Sequence, residues 1–418
     1  MMKEKVIIVG CQFSHMEEEQ FNMRMDELKA LVHTAGGEIV AKIEQSRQRP
    51  DAATYIGSGK TQELAEAVSQ KEADLVVFND ELTAGQVRNL DAAVDVRVID
   101  RTQLILDIFA GRAHTKEGKI QVELAQLMYI LPRLSGQGQV LSRLGGGIGT
   151  RGPGETKLET DRRHIQRRMD DLKKQLADVK AHRESYRKQR RKNSNVQFAL
   201  VGYTNAGKST LLHQLSGTET FQEDLLFATL DPLTRKIELP SGYEALLTDT
   251  VGFIQDLPTS LVAAFRSTLE EVKEADILLH VVDASHPEAY AQMKTVEELL
   301  SELNASSIPL ITVFNKEDRL TRTQSLPAAG KPSISISAFQ KSDQLRLLQL
   351  MEDTLKQQMR YYHVRIPADD GKSLASIRRY TLIKSEELLE DKNSFDYKGY
   401  VLEDHPVNGT INKYESTY

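Results

Sequence analysis

Apolar and polar positions along the chain divide it into stretches of different period. Residues 1 to 112 alternate strand-like runs (KVIIVG, EIVAKI, DLVVFN, VRVID) with helix-like stretches around Met16–Ala35, after Thr61 and from Thr83. That alternation predicts an α/β layer domain on a mainly parallel sheet. From 113 to 193 the period becomes helical. Leu158, Ile165, Leu172, Val179 and Tyr186 recur every seven residues, with Met169 and Leu176 between them. Such a seam needs a partner helix, and Leu124, Leu127 and Leu131 supply one, so an antiparallel hairpin is expected. Residues 194–360 alternate strands and helices again and predict a mixed sheet with helices on both faces. Residues 361–418 read as a small α+β domain with strands HVRI and YKGYVLE around a helix at Ser373–Leu389.

The tip of the predicted hairpin is RLGGGIGTRGPGETKLETDRR, residues 143 to 163. Glycine-rich loops that open helices often hold phosphate, but this one follows no strand and carries no lysine-hydroxyl pair. Charge changes its meaning. The chain as a whole has a formal net charge of −6, yet residues 132–195 hold 17 Lys and Arg against 7 Asp and Glu. A basic arm on an otherwise acidic molecule concentrates attraction for polyanions on one element. Arg143, Gly145, Gly146, Gly147, Arg151, Arg162, Arg163, Arg167 and Arg168 are the candidate RNA contacts, the glycines because they let backbone approach closely. The tip lacks aromatic residues, which favours recognition of RNA shape over base stacking. The same seam could instead serve a protein partner as a coiled coil without RNA contact.

The sharpest chemistry lies beyond residue 194. The strand VQFALVG runs into Gly202-Tyr203-Thr204-Asn205-Ala206-Gly207-Lys208-Ser209-Thr210 and a helix, the strand-loop-helix context that a P-loop demands. Its amides and helix N-terminus would cradle phosphates, Lys208 would neutralise the β and γ oxygens, and Ser209 would bind Mg²⁺. Asp249-Thr250-Val251-Gly252 follows the strand EALLTD, placing Asp249 to hold Mg²⁺ through water and the Gly252 amide near a γ-phosphate. Asn315-Lys316-Glu317-Asp318 follows PLITVFN, where the Asp318 carboxylate can accept from guanine N1 and N2; adenine offers no such pair. Ser337-Ala338 would present an amide to guanine O6. Between P-loop and Asp249, Phe227, Ala228 and Thr229 lie in the interval of a GTPase's switch I, with the Thr229 hydroxyl as third Mg²⁺ ligand and Thr234 a weaker competitor. The expected catalytic groups are Lys208, Thr229 and Gly252. Phe253 stands where many GTPases carry a water-orienting glutamine, so unaided hydrolysis should be slow. A second loop, Gly57-Ser58-Gly59-Lys60-Thr61, lacks the first P-loop glycine and reads better as a helix start.

These ordered motifs resemble the G motifs of translation-factor-related GTPases. With residues 249–285 (DTVGFIQDLPTSLVAAFRSTLEEVKEADILLHVVDAS) and the glycine-rich loop, the chain is similar to the HflX family. That resemblance implies a GTPase that binds the large ribosomal subunit and its rRNA, dissociates stalled or hibernating ribosomes under stress, and is stimulated by the ribosome. It implies that the hairpin tip reaches rRNA near the peptidyl transferase centre. ATP-dependent RNA remodelling through the N-terminal domain is attributed to some members. Two alternatives stay open: splitting of intact ribosomes, or a GTP-controlled switch that occupies ribosomes as an inhibitor or assembly checkpoint.

A single cysteine, Cys11, permits no intramolecular disulfide and suits a reducing cytoplasm. The opening MMKEKVIIVG lacks the long apolar stretch of a secretory signal. No apolar run approaches membrane length. The expectation is a cytoplasmic, ribosome-associated monomer with no membrane partner.

Overall fold

The computed structural model describes residues 3–134, 153–193, 196–218, 226–254, 272–320, 326–327, 330, 332–389 and 393–415, except for the side chains of 153–159, 180 and 182–193. The chain separates into two compact units. One comprises residues 1–179 with 224–230 and 256–265; the other comprises 180–223, 231–255 and 266–418.

The first unit is built on a parallel sheet of β1 (Lys5–Phe13), β2 (Glu38–Arg47), β3 (Leu75–Phe78) and β4 (Arg97–Asp100), in the order β2-β1-β3-β4. Continuous apolar runs suit strands covered on both faces, and Ile7, Val9, Val76 and Phe78 are buried in β1 and β3. Helix α1 (Glu18–Thr34) turns Phe21, Met25, Leu28, Leu31 and Val32 inward, the stripe expected of an amphipathic helix. Helix α2 (Ser58–Lys71) starts at Gly57, so the tempting Gly57–Thr61 stretch is a helix start. The Gly57 amide donates to Gln45 Oε1, and Lys60 pairs with Glu63 at 2.7 Å. Helix α3 (Ala84–Val94) opens with a capping box between Thr83 and Gln86, and α4 (Arg101–Arg112) is capped by Asp100.

Two helices follow, α5 (Lys116–Leu134) and α6 (Pro153–Asn193). Ile120, Leu124, Leu127, Met128 and Leu131 of α5 pack with Ile165, Met169, Leu172 and Leu176 of α6, so the heptad positions do form a seam. Val179 is not in that cluster, and the side chains of Leu158 and Tyr186 lie outside the described residues. The glycine-rich tip with Arg143, Gly145, Gly146, Gly147 and Arg151 also lies outside them.

The second unit holds a mixed sheet in the order β10-β9-β8-β5-β7-β6. Its strands are β5 (Gln197–Gly202), β6 (Leu233–Glu238), β7 (Glu244–Asp249), β8 (Ile277–Asp283), β9 (Leu310–Asn315) and β10 (Ser333–Ser335). Only β6 runs antiparallel to its neighbour. Helices α7 (Lys208–Ser216), α8 (Ala289–Glu302) and α9 (Lys341–Lys356) supply Leu211 and Leu212, Val296 and Leu300, and Leu347 and Met351 to apolar clusters with sheet residues.

An antiparallel sheet of β11 (Arg360–Pro367), β12 (Leu382–Leu389) and β13 (Ser394–Val401), with α10 (Gly371–Tyr380) and α11 (Asn408–Tyr414), completes this unit. Here the expected helix over Ser373–Leu389 is corrected: it stops at Tyr380, and Leu382–Leu389 is a strand. The sequence LIKSEELL has good helix formers, but pairing with β13 overrides local propensity. Thr381 fixes the turn, its hydroxyl lying 2.6 Å from that of Tyr362 and donating to Ile377 O, and Glu386 accepts from Tyr397 on the neighbouring strand.

Candidate functional site

The site grows from the carboxyl ends of β5, β7, β8 and β9, where an α/β sheet leaves its strand-to-helix loops. The loop from β5 to α7 tolerates no side chain at its two glycines. A Cβ on Gly202, whose φ is +150°, would lie 2.2 Å from Val281 O of β8; one on Gly207, at φ +96°, would lie 2.2 Å from Asn315 Nδ2. Both glycines are therefore dictated by close neighbours as well as by backbone conformation. Asn205 also takes a left-handed φ of +59°. Tyr203, Thr204 and Ala206 are buried and Thr210 is half-buried on α7.

Lys208 is 6% exposed, and its ammonium donates to Gly202 O at 3.0 Å and Tyr203 O at 2.8 Å. Burial pushes its pKa down to about 8, partly opposed by Asp249. Ser209 Oγ donates to Asp249 Oδ2 at 2.7 Å. These two side chains, predicted from separate motifs, converge into a hydroxyl-carboxylate pair of hard oxygen donors suited to Mg²⁺. Thr250 is buried, its hydroxyl donating to Leu200 O at 2.6 Å, and Val251 is buried beside it.

Asn315 stitches the loops together. Its Nδ2 donates to Ala206 O at 2.9 Å, and its Oδ1 accepts from Ala338 N at 3.1 Å. Lys316, in a left-handed conformation at φ +63°, reaches Asn205 O at 2.8 Å and Asp283 Oδ2 at 2.7 Å. Asp318 stands exposed on the single 3₁₀ turn Glu317–Arg319. The P-loop, Asn315-Lys316 and Ser337-Ala338 are thus brought into one hydrogen-bonded frame.

Three supporting residues were not singled out from the sequence. Asp283 ends β8; burial works against its charge, but hydrogen bonds from Lys316 and Ser285 hold its carboxyl below the usual range. Asp343 accepts the Ser337 amide at 2.9 Å. His280 of β8 is buried, with no hydrogen-bond partner for Nδ1 among the described residues; burial and the nearby Lys208 push its pKa down to about 4, so it is neutral. The phrase LLHVVDAS contains two of them, but only the strand register shows that His280 lies beside Val201.

The interval expected to contain switch I divides. Leu226–Leu230 groups with the first unit, where Leu226 N donates to Thr34 Oγ1 and Phe227 packs edge-on against Phe109 at 4.6 Å. Phe227 is 2% exposed at a left-handed φ of +54°, so its ring is a core element of that unit. Ala228 is exposed and Thr229 half-buried in the same segment. Thr234 instead sits in β6, its hydroxyl 3.0 Å from that of Thr248. Arg162, Arg163 and Arg167 are exposed on α6. Arg168 is committed to a two-pronged ion pair with Glu123 at 2.6 and 2.8 Å, which makes it a stabiliser of the α5–α6 pair more than a phosphate contact.

Comparison with known proteins follows the same divisions. A family model described as "GTP-binding GTPase N-terminal" matches residues 22–110, one described as "GTP-binding GTPase Middle Region" matches 112–190, and one described as "50S ribosome-binding GTPase" matches 197–316. A protein of Alkalihalophilus pseudofirmus named GTPase HflX is 55% identical over 404 residues, which cover 97% of this chain and 95% of that one. The GTPase HflX of Caldanaerobacter subterraneus is 49% identical, over 95% and 90% of the two chains, and that of Escherichia coli is 40% identical, over 93% and 91%. With identity running through both units and the phosphate loop set in its required frame, the chain belongs to the HflX family of GTPases.

Proposed function

We propose that this chain is a Mg²⁺-dependent GTPase that docks on the large ribosomal subunit through its basic two-helix element and dissociates stalled or hibernating ribosomes. The convergence of Lys208, Ser209, Asp249, Asn315 and Lys316 in one hydrogen-bonded frame carries the nucleotide part of this reading. Gly202–Thr210 would hold the phosphates, with the Gly252 amide at the third. Asn315, Lys316, Asp318, Ser337 and Ala338 would hold guanine, and Thr250 and Val251 would flank the site. Ser209 and Asp249 would hold Mg²⁺, which would supply charge neutralisation at the β and γ oxygens. Phe253 is 2% exposed among apolar side chains; it offers no group to orient a water, which supports slow hydrolysis by the protein alone.

The ribosomal part rests on the exposed Arg162, Arg163 and Arg167 along α6 and on the description of the family model that matches 197–316. Arginines on a packed helix suit contact with backbone phosphate. In the first unit, the commitment of Gly57 N to Gln45 and of Lys60 to Glu63 argues against an ATP site at Gly57–Thr61. Among the described residues no helix is long and apolar enough to cross a membrane.

Sedimentation tests the reading. Purified protein mixed with intact ribosomes and GTP, a non-hydrolysable analogue or GDP is expected to convert ribosomes to subunits with the triphosphates and not with GDP. Binding to isolated large subunits should weaken steeply with salt. Intact ribosomes in every nucleotide state, with the protein bound, would replace splitting by a GTP-controlled occupancy switch.

Buried Lys208 adds a pH signature. Below about pH 8 its ammonium is charged and available to phosphate; as pH rises through that value the free protein loses the charge. GDP affinity is therefore expected to be flat from pH 7 to about 8 and then to fall by up to about tenfold per pH unit as binding becomes coupled to proton uptake. Titration calorimetry from pH 7 to 9.5 would show it, and an affinity independent of pH across that range contradicts it.

A further inference from the structure

Strand β10 ends at Ser335, and a short turn carries the chain through Ser337 and Ala338 into α9. Every main-chain polar group of those two residues is satisfied. Ser337 N donates to Asp343 Oδ2 at 2.9 Å and Ala338 N to Asn315 Oδ1 at 3.1 Å. Ser337 O accepts from Gln340 N at 3.0 Å, and Ala338 O accepts from Gln344 Nε2 at 2.8 Å. Both residues are buried, so full pairing is what the position demands. Three of the four partners are side chains, and two of these come from the start of α9.

Asp343 is 7% exposed in the first turn of α9. A carboxylate is favoured there by the helix N-terminus, yet one of its oxygens is turned out to Ser337 while Arg346 donates to the other at 2.9 Å. Gln344 reaches Gln214 Oε1 of α7 at 3.3 Å as well as Ala338 O, so it ties the turn to the helix that begins at the P-loop. Helix α9 is itself fixed. Leu347, Met351 and Leu355 are fully buried in one apolar cluster with Leu200, Val313 and Leu382, and Glu352 accepts from Ser241 N at 2.8 Å. The turn is braced against a helix that cannot shift without opening a close-packed core.

We infer that Asp343 and Gln344 are positioning residues that set how tightly the site recognises the oxygen at guanine C6. This rests on the reading of Ser337-Ala338 as part of the base site. Ala338 N already has a partner in Asn315, so a guanine oxygen has to share that hydrogen. Sharing succeeds over a narrow range of distance and angle, and the turn must hold its place while it happens. Bracing the turn before nucleotide arrives also removes an ordering cost from binding.

Competition of labelled GDP by GDP and by 6-thioguanosine diphosphate, on the full chain, tests this. The analogue keeps N1–H and the 2-amino group that face Asp318, but its sulfur is a poorer acceptor than oxygen. In the wild type GDP is expected to bind about tenfold more tightly than the analogue, the worth of one good hydrogen bond. Asp343→Ala should weaken GDP by about tenfold and shrink the ratio between the two diphosphates to about twofold. Gln344→Ala should give an intermediate ratio. General loosening of the protein would weaken both diphosphates alike, so a wild-type ratio in a folded Asp343→Ala or Gln344→Ala protein overturns the inference. If Asp343→Ala does not fold, the Gln344→Ala ratio decides alone. Equal binding of the two diphosphates by the wild type overturns the inference with the nucleotide site intact. A wild-type chain that binds neither overturns the site reading itself, a separate result.

Discussion

Replacing Lys208 with alanine is expected to lower GTP turnover by about 10²–10³-fold, the usual loss when one positioned charge-stabilising donor is removed from a transition state. The ammonium is buried and held by Gly202 O and Tyr203 O, so it is pre-positioned at the loop and does not search for the phosphate. Its lowered pKa records the cost of keeping a charge in so enclosed a place, a cost that a bound polyphosphate offsets. Methyl truncation leaves the backbone carbonyls free to rehydrate and keeps the fold, because the apolar core beneath the loop is made by Leu211, Leu212, Val281 and Val313. The measurement is phosphate release at saturating GTP, with and without ribosomes, beside a thermal melt. Turnover like the wild type's, from a protein of unchanged stability, removes Lys208 from the reaction.

Exchanging Asp318 for asparagine is expected to weaken GDP binding by about 10²–10⁴-fold and to create binding of xanthosine diphosphate. The carboxylate, exposed on its 3₁₀ turn, can accept from both N1–H and N2–H of guanine. Two charge-assisted hydrogen bonds, each worth about 1.5–3 kcal/mol, are at stake. An amide there offers one acceptor and one donor. It mismatches guanine and matches xanthine, which carries an oxygen in place of the 2-amino group. The frame should survive the change, since Asn315 and Lys316 make their own bonds to Ala206, Asn205 and Asp283. Competition of labelled GDP by the two diphosphates measures the reversal; retention of guanine preference would remove Asp318 from the base site.

Much of this site was legible because its motifs are local. A P-loop is one strand end, one turn and one helix start, and Gly202, Gly207, Lys208 and Ser209 have short-range reasons to be where they are. Asp249 and Asn315 could be read because each directly follows a strand, so that a parallel sheet brings their loops to one edge. The heptad spacing of Ile165 and Leu172 likewise needed only a helix with a partner, and Leu124 supplied it. The helix expected over Ser373–Leu389 failed where a local reading must fail. Residues 382–389 carry helix-forming Glu and Leu, and their strand state comes from pairing with residues 394–400, which has no trace in local periodicity.

The sequence by itself determined the class of the fold, the P-loop and the basic character of α6, because composition, periodicity and short motifs are properties of neighbouring residues. Only the tertiary structure decided that Asp283 orients Lys316, that Asp343 fixes Ser337, that Phe227 belongs to the core of the first unit, and that Phe253 bridges to the P-loop. Each of these joins residues many positions apart through one hydrogen bond or one ring contact. Such pairings depend on strand register and packing, which are settled when the whole sheet forms.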